Sequence, residues 1–320
     1  MSKDLDVTVI IATHNRADIL KETLEQMELL DRSGINTEFI VVDNNSTDNT
    51  KQIIESFYGR LPIRYLFEAK PGQNCARNRA LTEAKLGRNV AFTDDDVAPK
   101  RDWLQAILSV SRRWPEHSIF GGKIYVIWPV NEIPKWAESS HIKSLAFAEH
   151  DYAESECEYI SSLNEHPFSG NFWVRREVFD GGRRFDDSIA WHPGNRILAT
   201  ETAFFQELSN EGFKFFYCPD AVVGHRIMPQ QMTLLYLIKR AHSSGRGVAH
   251  MQPLCRHSLF NKHPIFWRFI RVGAVVRLGF SAAISLVPLV MQKPKQMIYA
   301  VRWIGYNVES LSIAEGYKRK

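Results

Sequence analysis

Three consecutive carboxylates, Asp94-Asp95-Asp96, follow the short apolar stretch Val90 to Thr93. Carboxylates this close repel one another, and a divalent cation that prefers oxygen ligands is the simplest partner to relieve the repulsion. The run therefore favours Mg²⁺ or Mn²⁺, ions that commonly also hold substrate phosphates. The alternative is a solvated acidic turn before a helix that has Pro99 near its start.

Two further segments place polar residues in a similar setting. Asp43 follows Phe39 to Val42, and its carboxylate could accept the imide N–H of a uracil or cap the next helix. Gly72 opens a segment that contains Arg77 and Arg79. A helix beginning there would favour an anion at its N-terminus, with one of the two arginines expected to be a solvated surface residue.

The scaffold predicted for these residues alternates strands with helices, which is typical of a parallel, doubly wound sheet. Polar residues gather just after the strand ends, where open α/β sheets bind ligands. Helices are expected around Leu20, Ile54 and from about Asn74 to Leu86. The strand predictions are Val7 to Ala12, Phe39 to Val42, Ile63 to Phe67 and Val90 to Thr93.

The second half of the chain has a less regular pattern. Residues 128–165 are expected to form a long, partly mobile excursion. Order is expected to return at Gly170 to Val174, followed by a helix from about Glu201 to Asn210. Phe213 to Tyr217 and Ala221 to Val223 are interpreted as two strand pieces, and the chain as helical from Met232.

The C-terminal region contains an apolar stretch, Val272 to Met291, with Arg277 as its one charge. Its length approaches that of a membrane span, but Gly273, Gly279 and Pro288 interrupt it. We therefore expect residues 264–291 to lie in a membrane interface, with a soluble helical subdomain or a true span as alternatives.

Composition limits the remaining classes. Hydrophobic residues make up 44% and charged residues 24%, as in a globular protein, and the net charge is +4. The four cysteines are widely spaced and no signal-peptide pattern is present, so we expect a cytoplasmic protein with reduced thiols. P-loop and dinucleotide-binding motifs are missing, and no basic and aromatic platform for nucleic acid is evident.

Seven short motifs of the chain, taken in their order along the sequence, resemble those of family 2 glycosyltransferases with a GT-A fold. The matching stretches are Val7 to Arg16, Phe39 to Asp48, Gly72 to Asn78, Phe92 to Asp96, Ser169 to Arg176, Thr200 to Thr202 and Tyr217 to His225. The resemblance implies an α/β fold with a Rossmann-like, mostly parallel sheet flanked by helices. It also implies a nucleotide-sugar-binding half over 1–105 and an acceptor and catalytic half over 106–230. The residue pattern adds a C-terminal helical, membrane-associating extension over 231–320.

The resemblance implies roles for the matched positions. Asp96 and His225 would hold the metal, with a hydrogen-bonded structural histidine as the alternative for His225. Glu201 would be the catalytic base, although many members carry Glu-Asp where this chain has Thr200-Glu201. Aromatic faces suit sugar rings, so an acceptor site is one interpretation of three further residues, with core or lid packing as the alternative. The donor-binding set is Thr13, Asn15, Arg16, Asp43, Arg77, Asp94 and Asp95, and the acceptor set is Trp173, Trp191 and His192.

The function implied is inverting transfer of a sugar from a nucleotide diphosphate sugar, with UDP favoured, to an acceptor hydroxyl. The acceptor would be a glycan or lipid-linked molecule in surface polysaccharide or glycolipid synthesis, at the inner face of the cell membrane. One alternative is a catalytically degenerate partner protein that binds nucleotide sugars. Another is a nucleotidyltransferase, which would need a glycine- and lysine-rich loop where this chain has Ala12 to Arg16.

Overall fold

The computed structural model describes residues 4–83, 85–130, 132–160, 165–187, 200–251, 298–299, 301–306 and 308. The chain divides into two compact units. The first consists of Met1–Pro129, Phe147–His192 and Glu201–Ile227, and the second of Val130–Ala146, Pro193–Thr200 and Met228–Lys320. Every candidate site residue discussed below with a described side chain belongs to the first unit.

Nine strands and eight α-helices make up the regular structure of the described residues. The strands are β1 (Val7–Thr13), β2 (Thr37–Asp43), β3 (Ile63–Phe67), β4 (Asn89–Asp94), β5 (Val97–Pro99), β6 (Ile119–Ile127), β7 (Cys157–Glu158), β8 (Asn171–Arg175) and β9 (Phe215–Arg226). The helices are α1 (Ala17–Glu28), α2 (Thr50–Glu55), α3 (Gln73–Glu83), α4 (Trp103–Arg113), α5 (Ser140–Phe147), α6 (Glu177–Asp180), α7 (Thr200–Asn210) and α8 (Leu234–Met251).

The strands form one mixed sheet in the order β3-β2-β1-β4-β8-β6-β9-β5, with β7 also paired to β9. Strands β1 to β4 are parallel neighbours, as the alternating strand and helix pattern predicts. Strand β8 runs antiparallel between β4 and β6, while β6 and β9 are parallel. The mixed α/β sheet flanked by helices confirms the predicted fold class.

Both faces of the sheet are covered, which explains why its central strands are apolar almost throughout. Because successive side chains point to opposite faces, Val9 and Ile11 pack with α1 and α4 in one hydrophobic cluster. Ile10 lies in a second cluster with residues of α3 and α7. Helices α3 and α7, which carry Arg77 and Glu201, therefore contribute to the same cluster.

The second half is more regular than the sequence predicts. The expected excursion over 128–165 contains a 3₁₀ turn at Lys135–Ala137, helix α5 and strand β7. His150 pairs with Ile124 through two backbone hydrogen bonds, which ties this segment to β6. Instead of two strand pieces, β9 is continuous from Phe215 to Arg226, because it pairs with β6 across a register shift that absorbs the interruption.

Two stretches of the C-terminal region are helical in the structure. Helix α8 begins at Leu234, close to the predicted start at Met232, and residues 298–299 and 301–306 are helical. The stretch 264–291 lies outside the described residues. Among the helices that are described, none combines the length and apolar character needed to span a bilayer.

Candidate active site

The carboxyl ends of three parallel strands bring the predicted nucleotide-binding residues to one edge of the sheet. Thr13, the last residue of β1, is in register with Asp43 at the end of β2. On the other side, Ala12 is in register with Asp94 at the end of β4. Parallel strands end at a common edge, so these side chains share the crevice that the sequence pattern predicts.

The aspartate run is held by Arg16 and Thr13. Arg16 Nη1 donates to Asp95 Oδ1 at 2.5 Å, and Arg16 Nη2 donates to Asp96 Oδ2 at 2.8 Å. The Thr13 hydroxyl donates to the other oxygen of Asp95 at 2.7 Å. Both aspartates are buried, and these contacts supply part of the positive charge and hydrogen bonding that buried carboxylates require.

His225 approaches the same run from β9. Its Nδ1 lies 2.6 Å from the Phe147 carbonyl oxygen, and its Nε2 lies 3.5 Å from Asp96 Oδ1. Burial alone would raise the pKa of Asp96, but His225 and Arg16 together hold that pKa well below its usual range. Burial alone would lower the pKa of His225, but the facing Asp96 outweighs that effect, so the pKa of His225 is raised.

Asp94 is held from two directions by residues that the sequence analysis did not single out. Gln73 Nε2, in the first turn of α3, donates to Asp94 Oδ1 at 2.9 Å. The Ser169 hydroxyl lies 3.4 Å from Asp94 Oδ2. Burial raises the pKa of Asp94, and the neighbouring Asp96 raises it further. The position of Gln73 next to Gly72 at a helix start could have indicated a polar contact with the site. The sequence analysis considered only the two arginines of that helix.

Arg77 lies between Asp94 and Glu201. Its side chain is 2% exposed, with Nη2 4.0 Å from Asp94 Oδ1 and Nη1 4.0 Å from Glu201 Oε2. The guanidinium lies against three aromatic rings, at 5.4–6.0 Å from the centroids of Phe92, Phe172 and Phe185. A fixed cation thus joins the aspartate run to the predicted base.

One of Arg77 and Arg79 was expected at the surface, and the structure shows that it is Arg79. Its side chain is 39% exposed and pairs with Glu83 on the same helix at 3.0 Å. The spacing of two residues explains the difference, because it rotates Arg79 to the opposite face of α3 from Arg77.

Asp43 and Asn15 both stabilise loops at the strand ends. Asp43 Oδ1 accepts a hydrogen bond from the Ser46 backbone N–H at 2.8 Å, which stabilises a turn. The helix cap considered for Asp43 is not formed, because α2 begins at Thr50 with Asn49 in the capping position. The Tyr65 hydroxyl donates to Asp43 Oδ2 at 3.2 Å. Asn15, with φ +51°, accepts a hydrogen bond from the Thr47 backbone N–H at 2.7 Å, so it joins the loop after β1 to the loop after β2.

The residues predicted for an acceptor site have a different outcome. Trp173 is fully buried, stacks on Phe120 with 5.4 Å between ring centroids, and donates its indole N–H to the Ser111 hydroxyl at 3.0 Å. The structure therefore places Trp173 in the core, which was the alternative considered for it. Trp191 and His192 lie outside the described residues.

Asp96 and His225 fit the requirements of a divalent cation. Asp96 Oδ1 is buried and accepts no hydrogen bond. If His225 Nδ1–H donates to the Phe147 carbonyl, a neutral ring presents the lone pair of Nε2 to that oxygen. In the part of the chain that the structure describes, no group of three or more His, Cys, Asp or Glu side chains is arranged to hold a metal. With two protein donors, the remaining ligands would be water and substrate phosphates, a division that is common at Mg²⁺ sites.

Comparison with known proteins identifies the family. The chain matches the glycosyl transferase family 2 over residues 8–182. It is also 32% identical over 257 residues to glycosyltransferase AglE of Haloferax volcanii, a match that covers 79% of this chain and 76% of AglE. The chain belongs to glycosyl transferase family 2. The resemblance inferred from the sequence motifs is confirmed.

Two further comparisons extend the family assignment. The putative teichuronic acid biosynthesis glycosyltransferase TuaG of Bacillus subtilis is 38% identical over 102 residues, which is 31% of this chain and 39% of TuaG. The match therefore spans well under half of TuaG. Among solved structures, the Pyrobaculum calidifontis mannosyltransferase PcManGT, in complex with GDP-Man and Mn²⁺, superposes with a TM-score of 0.55 at 18% identity, covering 98% of this chain and 74% of PcManGT.

S. aureus TarS 1–349 in complex with UDP-GlcNAc gives a TM-score of 0.53 at 16% identity, covering 98% of this chain and 92% of TarS 1–349. At these identities the structural similarities support the shared fold of this family 2 member.

Proposed function

We propose that this family 2 protein transfers a sugar from a nucleoside diphosphate sugar to an acceptor hydroxyl, with inversion at the anomeric carbon. The observation that carries the proposal is the Asp94–Arg77–Glu201 arrangement, in which a carboxylate of the aspartate run and a carboxylate on α7 flank one buried arginine. A donor bound along the aspartates would place its sugar within reach of a base on the opposite element.

Glu201 is the proposed base. It lies in the first turn of α7 with its side chain 16% exposed. An ionised carboxylate there can accept the proton of the acceptor hydroxyl as that oxygen bonds to the anomeric carbon. The bond from the anomeric carbon to the phosphate oxygen breaks in the same displacement, and the nucleoside diphosphate leaves with the electron pair. A single displacement of this kind inverts the anomeric configuration.

The donor side is assigned to residues at the ends of β1, β2 and β4. Asp43 would accept from the nucleobase and Asp94 from the ribose, with Thr13 and Asn15 shaping the loop between them. Asp96 and His225 would hold Mg²⁺ or Mn²⁺, which supplies positive charge to the departing diphosphate when bound. The buried, unbonded Asp96 Oδ1 supports this assignment, as does the Mn²⁺ in the PcManGT complex.

The acceptor proposed is a glycan or lipid-linked molecule of cell-surface polysaccharide or glycolipid synthesis, used at the membrane face. Support comes from the name of TuaG, which refers to teichuronic acid biosynthesis, and from exposed hydrophobic side chains in the second unit, including Leu235 at 60% and Trp303 at 53%. Flotation with vesicles containing anionic lipid tests the membrane part. Recovery of all the protein below the vesicle fraction would contradict it.

A thermal-shift screen tests donor binding. The protein is melted with UDP-GlcNAc, GDP-mannose and related nucleotide sugars, each with Mn²⁺ and with EDTA. A bound donor raises the melting temperature by mass action, so we expect at least one nucleotide sugar to stabilise the protein only when Mn²⁺ is present. Stabilisation by none of them would refute the proposed function.

Glu201→Gln tests catalysis separately from binding. The amide keeps the size of the side chain but is a very poor base, so donor turnover should fall by at least about 100-fold while stabilisation by the donor persists. Glu83→Gln, an exposed change on α3, serves as the matched control. Turnover at the wild-type rate in Glu201→Gln would exclude Glu201 as the base. Donor binding by the wild type with no turnover would instead favour the nucleotide-sugar-binding partner protein.

A further inference from the structure

Arg16 is fixed in place by the loops at the ends of β1 and β2. It occupies the position just before α1, with φ −141° and ψ 39°. Its neighbour Asn15 is bonded to the 46–47 turn through both its backbone N–H and its side-chain oxygen. On the other side, the Ala17 backbone N–H donates to Asp48 at 3.1 Å. The arginine therefore projects from an anchored segment.

The guanidinium divides its two terminal nitrogens between two successive carboxylates. Nη1 donates a hydrogen bond to Asp95, and Nη2 donates one to Asp96. A planar fork can hold two acceptors at once in a fixed relative orientation, which a lysine ammonium on a flexible stem does not do. Although sequence reasoning placed Arg16 among the donor-binding residues, its observed partners belong to the aspartate run.

The contact with Arg16 determines which oxygen of Asp96 remains available. Oδ2 is engaged at 2.8 Å, while Oδ1 is buried without a hydrogen bond. Oδ1 faces Nε2 of His225 at 3.5 Å. Two ligands of one metal at right angles stand roughly 3 Å apart, given metal–ligand distances of about 2.1 Å. The observed separation is close to that value.

We propose that Arg16 is a positioning residue for a divalent cation, which fixes Asp96 so that Oδ1 and His225 Nε2 point at a common site. The inference rests on the metal site in the proposed function and assigns Arg16 a role in holding a ligand rather than in contacting the donor. Partners that orient a metal ligand commonly change metal affinity by about 10–100-fold when they are removed. The opposite possibility is that Arg16 is a counter-cation that competes with the metal for the aspartates.

Arg16→Lys distinguishes these two roles because it keeps the positive charge and removes the fork. Coulomb repulsion between residue 16 and the metal is retained, so a change in affinity reports the lost two-point hold on Asp95 and Asp96. We expect Mn²⁺ to bind about 10–100-fold more weakly to Arg16→Lys than to the wild type. The measurement is titration of Mn²⁺ alone, followed by the electron paramagnetic resonance signal of the free ion.

Two variants frame the result. Arg60→Lys alters an exposed ion pair with Glu28 at the far end of α1 and should leave Mn²⁺ affinity unchanged. Asp96→Asn should abolish binding. Unchanged or tighter binding by Arg16→Lys, with a melting temperature near that of the wild type, would overturn the inference while leaving the metal site intact. Absence of Mn²⁺ binding by the wild type would overturn the metal site and the inference together.

Discussion

Replacing Arg77 by Met should destabilise the protein strongly, because it leaves two carboxylates without their shared cation. Arg77 lies 4.0 Å from both Asp94 and Glu201 and is 2% exposed. At 4 Å and an effective dielectric constant of about 20, each attraction amounts to roughly 4 kcal/mol before desolvation is subtracted. Desolvation of the arginine opposes these attractions and outweighs them in the pKa of Arg77, which is lowered. The cost of the substitution therefore arises from the two carboxylates that lose their shared cation.

The expected net cost is about 3–5 kcal/mol, the range seen when one partner of a buried ion pair is removed. For a chain of this size, about 2 °C of melting temperature corresponds to each kcal/mol, so the midpoint should fall by roughly 6–10 °C. Arg79→Met is the matched control on the same helix. Its exposed pair with Glu83 contributes about 0.3–0.5 kcal/mol, which predicts a shift of about 1 °C.

Glu201→Gln provides the test of cause. If the loss in Arg77→Met arises from uncompensated charge, adding Glu201→Gln should recover about 1–3 kcal/mol of it as a coupling term. Thermal melting, followed by circular dichroism, is measured for the four proteins of this double-mutant cycle: the wild type, the two single variants and the double variant. The reasoning would be refuted by a melting temperature for Arg77→Met within about 2 °C of wild type, or by effects of the two substitutions that simply add.

Two further predictions concern the scaffold of the first unit. Burial and, to a lesser extent, the nearby His166 lower the pKa of His150 from 6.5 to about 4. As the pH falls from 6.5 towards 4, the unfolded chain gains a proton that the folded chain does not, so the free energy of unfolding should fall by about 3 kcal/mol. Chemical denaturation of His150→Gln across that pH range should show a shallower loss of stability. Gly122→Ala should cost about 1–3 kcal/mol of stability in the same assay, because the added Cβ would overlap the Ala221 carbonyl oxygen and the Asn171 side-chain amide. As a control, Gly181→Ala should change stability little, because its Cβ meets nothing within 4 Å.

The local pattern of the sequence was sufficient to predict the first four strands. Val7 to Ala12 and Phe39 to Val42 are short apolar runs followed by polar residues, and the structure buries them between helices on both faces. That combination identifies central strands of a parallel sheet. The antiparallel placement of β8 between β4 and β6 was not predictable in this way. It depends on pairings such as Phe92 with Phe172, far apart in the chain.

The candidate site shows the same division. The positions of Thr13, Asp43 and Asp94 follow from their place after a strand, so sequence alone brings them to one edge. Partner assignments do not follow, because Arg16 contacts Asp96 across 80 positions and no local rule selects that carboxylate over a ligand phosphate. Trp173 illustrates a further ambiguity, since its large apolar ring suits a sugar face and a core equally well.

The contacts of the aspartate run indicate that its geometry is fixed by the protein. Arg16 contacts both Asp95 and Asp96. Arg77 lies between Asp94 and Glu201. His225 faces the Asp96 oxygen that Arg16 does not contact. Each of these three side chains comes from a different element: the loop before α1, helix α3 and strand β9. Charges oriented before the substrate arrives do not need to reorganise during the reaction. Substitutions that keep the charge but lose its direction, such as Arg16→Lys, should therefore impair this site more than substitutions of equal size on the surface.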